Sequence, residues 1–172
     1  MSDMTNRRSI RLSAALALTL ALTLAGCGFK PVGQANMPFD TLYVTAPDYS
    51  SFGAEFKRYV ESYGKTRITD NPQQAQVILE ILSETQEQQI LSLTSAGRVA
   101  EFLLRYRVTY RLRDNEKRDW IPRGEIQLQR DYTYDDTIVL AKENEAQLLF
   151  KDMKNDAIQQ LVRRLSVAQA PS

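Results

Sequence analysis

The chain has 172 residues, with 22 Lys+Arg against 21 Asp+Glu, no histidine and one cysteine. A single thiol excludes an internal disulfide, and without histidine a metal-ligand cluster is poorly served and the commonest general base is missing. A net charge of +1 provides no global field to draw the chain to nucleic acid, and the length suits one domain with a sizeable core.

The first feature in chain order is a leader. Arg7, Arg8 and Arg11 form a basic n-region, "LSAALALTLALTLAG" (12–26) an apolar h-region, and small residues precede the break, as in a secretory signal. The apolar part is about 15 residues long, short of the roughly 20 that cross a bilayer. Leu24-Ala25-Gly26-Cys27 resembles the bacterial lipobox, which implies cleavage before Cys27 and its conversion to a thioether-linked, N-acylated lipid anchor. Two or more acyl chains hold a protein on a membrane where one does not. Gly28, in place of the Asp that signals inner-membrane retention, favours the outer membrane. Loss of the leader removes three arginines and only Asp3, so the mature net charge is about −1, and an anionic partner must be met by a local basic patch.

"KPVGQANMPFD" (30–40), with two prolines and a glycine, reads as a tether. "TLYVTA" (41–46) is a short strand ended by Pro47-Asp48. Ser50 or Ser51 can then cap a helix over 52–63, with Phe52, Phe56, Val60 and Tyr63 at helical spacing and Gly64 as its stop. "AQVILEILSETQEQQILSLT" (75–94) predicts a long strand whose imperfect alternation calls for a bulge or a switch of faces, and "SAG" (95–97) turns the chain.

Residues 99–114 give the clearest strand. Phe102, Leu104, Tyr106, Val108, Tyr110 and Leu112 alternate with Leu103, Arg105, Arg107, Thr109, Arg111 and Arg113, so one face is a core wall and the other carries four arginines. After the "RDNEK" loop, a strand over 120–134 sets Ile126, Leu128, Arg130, Tyr132 and Tyr134 against Glu125, Gln127, Gln129 and Asp131. Its acids and amides can pair with the arginines across the ladder, which makes that face either a solvated mosaic or a functional one. A final helix over 138–166 buries Ala146, Phe150, Met153, Ala157, Leu161 and Leu165, with Asp135 and Asp136 near its start and Arg163-Arg164 near its end to suit the dipole.

The expected fold class is α+β, a two-layer sandwich with two helices on one face of a four-stranded mixed sheet, in the order β-α-β-β-β-α. The chain divides into a signal peptide (1–26), lipidated cysteine and tether (27–40), the α+β domain (41–166) and a short polar tail (167–172). There is no G-x-S-x-G motif, phosphate loop or metal-ligand spacing, and adjacent acids at a helix start usually serve the dipole. The chain reads as a binder or builder, not an enzyme.

"AGCGFK", "GRVAEFLLRYRVTYRL" (97–112), "RDYTYDD" (130–136) and "VLAKENEAQLLFKDMKNDAIQQLVRRL" (139–165), with their spacing, resemble the LPS-assembly lipoprotein family LptE. The resemblance covers most of the mature chain and implies an outer-membrane lipoprotein without cofactors. Its domain would sit as a periplasm-facing plug in the lumen of the barrel LptD, help that barrel assemble and bind lipopolysaccharide during delivery to the outer leaflet. It places Lys142 on a basic position implicated in lipopolysaccharide contact. A second basic position falls where Thr94, Ser95 and Ala96 are uncharged, with Arg98 as the stand-in. Arg130, Tyr132 and Tyr134, at the end of the last strand, are candidate barrel anchors, since arginine and tyrosine often dominate interface energetics. The alternative is an accessory lipoprotein of an ABC-type lipid transporter bridging the periplasm.

Overall fold

A computed structural model describes residues 36–171, so the signal peptide, Cys27 and most of the tether lie outside the described residues. The elements are β1 (Thr41–Thr45), α1 (Phe52–Tyr63), β2 (Arg67–Ile68), a 3-10 turn (Pro72–Gln74), β3 (Val77–Leu93), β4 (Val99–Arg113), β5 (Asp119–Thr133) and α2 (Val139–Ser166). Two helices and a mixed sheet match the expected class, but the sheet has five strands, ordered β2-β1-β3-β4-β5. The added strand is two residues long, too short to leave any alternation in the sequence. Main-chain bonds hold it, from the Arg67 amide to the Asp40 carbonyl and from the Thr69 amide to that of Leu42. β1 is parallel to both β2 and β3, whereas β3, β4 and β5 form an antiparallel meander.

Alternation along the meander assigns its two faces. Leu104, Tyr106, Val108, Tyr110 and Leu112 of β4 are buried under the helices with Leu79 and Ile81 of β3 and Ile126 of β5. The helices contribute Phe52, Phe56 and Val60 from α1, and Ala146, Met153, Ala157, Leu161 and Leu165 from α2. Tyr63, expected on the buried stripe of α1, is 62% exposed and packs on Tyr59 instead. The expected bulge in β3 is present, with register shifts between Ile81 and Ser83 and again between Ile90 and Ser92. Each moves the pattern to the other face, as one extra residue in a period-2 ladder must.

Neither helix starts as its sequence implies. Ser51 makes no side-chain cap on α1. The carboxylate of Glu84, on the middle of β3, supplies the acceptor, taking the Phe52 amide at 3.1 Å and the Ser50 hydroxyl at 2.7 Å. At α2, Asp135 accepts from the amide and hydroxyl of Thr137 while Asp136 pairs with Arg98, so the two acids organise the preceding turn. Gly64 ends α1 in an extended conformation with its amide on the Val60 carbonyl, and a side chain is excluded there because a Cβ would stand 2.6 Å from that oxygen.

The open sheet face is largely polar, with Tyr43, Ile78 and Leu103 as its apolar members, and its ion pairs reach further than expected. The acids and amides of β5 do face the arginines, with Gln129 opposite Arg105, Gln127 opposite Arg107 and Glu125 3.5 Å from the Arg107 guanidinium. The tightest pairs run the other way, to β3, where Glu80 accepts from both Arg111 and Arg113. Burial pushes the Glu80 carboxyl up, but those two hydrogen bonds and charges outweigh it and hold the group below its ordinary value.

Candidate ligand-binding end

The meander is longer than the layer of helices above it. β3 runs 17 residues, roughly 55 Å at strand rise, while β1 pairs only with its first few positions. The chain joins the sheet at the start of β3, where Phe39 packs edge-on against Trp120. The turn from Thr94 to Arg98 lies at the other end, and there the β5–α2 connection returns beside it, tied by the Tyr134 amide bonded to the Ala100 carbonyl.

Both basic residues singled out in the sequence belong to this far end. Arg98 follows the β3–β4 turn, is 65% exposed and donates to Asp136 at 3.1 Å. Lys142 sits in the first turns of α2, with its side chain only 16% exposed, bonded to Glu145 at 2.8 Å and lying over the Tyr132 ring. Between the β3–β4 turn and the β5–α2 connection is a notch of about 280 Å³, lined by Arg98, Val99, Tyr134, Asp135 and Asp136 among others. Hydrogen bonds from Thr137 hold Asp135 below its ordinary value against the opposing effect of burial, and Lys142 and Arg98 both lower it further. Each cation is thus paired with a carboxylate, Arg98 through one terminal nitrogen that leaves its other donors free of Asp136 and Lys142 through its ammonium.

The three residues expected at a barrel contact separate. Arg130 is on the surface, where its guanidinium meets Asp156 of α2 at 2.9 Å. Tyr134 is half-buried and edge-on to Phe102 at 5.0 Å. Tyr132 is only 6% exposed, stacked with Phe102 and accepting from the Gln88 amide through its hydroxyl. It is a core side chain of this domain, contrary to its expected place as a surface anchor, because the helix-side face of β5 extends under the start of α2. Sequence reasoning missed Glu84, which caps α1 and accepts from Tyr106 at 2.6 Å. Its one signal was an acid at a position where the alternation of β3 fails.

The described residues thus form a two-layer α+β domain, two helices on one face of a five-stranded mixed sheet, with a charged notch at one end. A solution structure of uncharacterized lipoprotein B from Nitrosomonas europaea is similar at TM-score 0.71 and 35% identity, covering 81% of this chain and 90% of that one. The minor lipoprotein of Acinetobacter baumannii shares the fold at TM-score 0.64 and 22% identity, covering 78% and 99%. The LPS-assembly lipoprotein LptE of Yersinia enterocolitica is 28% identical over 164 residues, 90% of this chain and 76% of that protein. The LptE family, described as lipopolysaccharide-assembly, matches residues 39–165, and the chain belongs to that family.

Proposed function

We propose that this protein is lipid-anchored to the outer membrane through Cys27, plugs and helps assemble an LptD-type β-barrel, and binds lipopolysaccharide on its way to the outer leaflet. The observation that carries the ligand part is the placement of Arg98 and Lys142 at one end of the domain, where both cations act on Asp135 in a polar notch that Arg98 lines. Lipid A phosphates and core-sugar carboxylates compete there for the cations that Asp136 and Glu145 now hold, and charge-assisted hydrogen bonds are the strong ones.

The polar sheet face supports the barrel part. Arg105 and Arg107 each keep an Nε buried without a hydrogen-bond acceptor, and four arginines with their acids are costly to seal in a dry contact. The lumen of a large barrel is polar and hydrated, so a wet contact there avoids that cost. The role is binding and assembly, with no catalytic step. Replacing Arg98 and Lys142 together by Asp should weaken lipopolysaccharide binding by about 1.5–3 kcal/mol per lost charged hydrogen bond, with the melting temperature little changed. Titration of the double variant at moderate ionic strength reads this directly, and unaltered affinity rejects the site.

A further inference from the structure

The hydrophobic core of this domain does not close at its far end. Val139, Ala146 and Met153 are spaced by seven residues, so they lie on nearly the same stripe of α2. Met153 is fully buried and Ala146 is 4% exposed, yet Val139 is 40% exposed. On the helix side of β3, Ile81 is 3% exposed whereas Ile90, opposite Phe102 on β4, is 58% exposed. Leu140, in the first turn of α2, is 72% exposed. The apolar stripes of a strand and a helix therefore both run past the last layer that covers them, at one end of the molecule.

We infer that this open end of the core, with Ile90, Phe102, Val139 and Leu140, takes hydrocarbon chains of the amphiphile whose anionic head meets Arg98 and Lys142. The inference rests on the lipopolysaccharide reading above and adds to it a second, apolar subsite. What favours an amphiphile as occupant is continuity. The cations stand beside the segments that carry the apolar residues, Arg98 at the end of the β3–β4 turn immediately before β4 and Lys142 one turn beyond Val139 in α2. Both cations are paired with carboxylates within the domain, so a headgroup contact alone gains little net charge, whereas burying acyl methylenes adds a favourable term that needs no counter-ion. An amphiphile with phosphate and acyl chains satisfies both surfaces at once.

In-cell photocrosslinking of the full lipidated chain tests this, with Ile90, Leu140 or Ser95 replaced in turn by p-benzoylphenylalanine. Ile90 and Leu140 should give lipopolysaccharide adducts whose fragmentation spectra place the new carbon–carbon bond on a fatty acyl chain. After mild alkaline hydrolysis an ester-linked chain leaves the tryptic peptide with one acyl mass, and an amide-linked chain leaves it with that acyl mass still on its amino sugar. Ser95, in the polar turn, should give an adduct that keeps the sugar. Purely proteinaceous adducts at Ile90 and Leu140, or adducts there whose new bond lies on a sugar carbon, overturn the hydrocarbon subsite. If Ser95 still captures lipopolysaccharide, the ligand reading survives that failure. If none of the three positions captures it, both fall.

Discussion

Glu84 lies on the helix-side face of β3, where its carboxylate receives the Ser50 hydroxyl, the Phe52 amide and the Tyr106 hydroxyl. One side chain thus caps α1, ties it to the sheet and satisfies a buried phenol. Burial and the neighbouring carboxylate push the Tyr106 phenol well above its usual value, so it stays a donor. Glu84→Ala should cost about 2–4 kcal/mol, less than the sum of three charged hydrogen bonds because water reaches part of the site, and Glu84→Gln about half as much. Urea titrations with an unchanged slope would report it. Tyr132→Ala empties a core position and should cost about 3–5 kcal/mol, whereas Arg130→Ala breaks one exposed ion pair and should cost less than about 1 kcal/mol. A Tyr132→Ala domain that melts as the parent does would return Tyr132 to the surface. The apolar stripes were legible residue by residue, since periodicity alone names Phe52, Leu104 and Met153. Glu84 was not, because its partners on α1 are more than thirty residues away in sequence.

At the scale of elements, strand length, helix length and the bulge in β3 could all be read from pattern, and boundaries agree within a residue or so. β2 could not, because its two residues carry no period and pair through the main chain alone. The partners of the arginines were half legible. Facing residues on β5 follow from a hairpin with a short loop, while the pairing of Arg111 and Arg113 with Glu80 depends on where the bulge sets the register of β3. That pairing sets a pH dependence. The folded carboxyl of Glu80 titrates below its ordinary 4.5, so its contribution is present above that value and is lost as pH falls through the lower, folded one. Glu80→Gln should therefore lie below the parent in stability at about pH 7, and the gap should narrow once the pH is taken below 4.5. Urea midpoints for both proteins on either side of that value check it, and a gap that stays constant would mean that the pair adds nothing through ionisation.

For the whole molecule, the leader and Cys27 carry a prediction that does not depend on the domain. Cys27→Ala should abolish palmitate labelling and leave residues 1–26 attached, read by mass on the purified chain; undiminished labelling would place the anchor elsewhere. The sequence showed which residues lie at each end of the meander, but not that the core runs out before the strands do, since that depends on where the helices stop over the sheet. The length of β3 has a consequence of its own. A strand pair of roughly 55 Å exceeds the 40–45 Å thickness of a bilayer with its headgroups. The chain joins the sheet beside the start of β3, and Arg98 stands at the opposite tip. The meander thus holds its far turn a bilayer's depth from the edge where β1 joins the sheet, and each residue pair removed from β3 and β4 would draw Arg98 back toward that edge by about 3.3 Å.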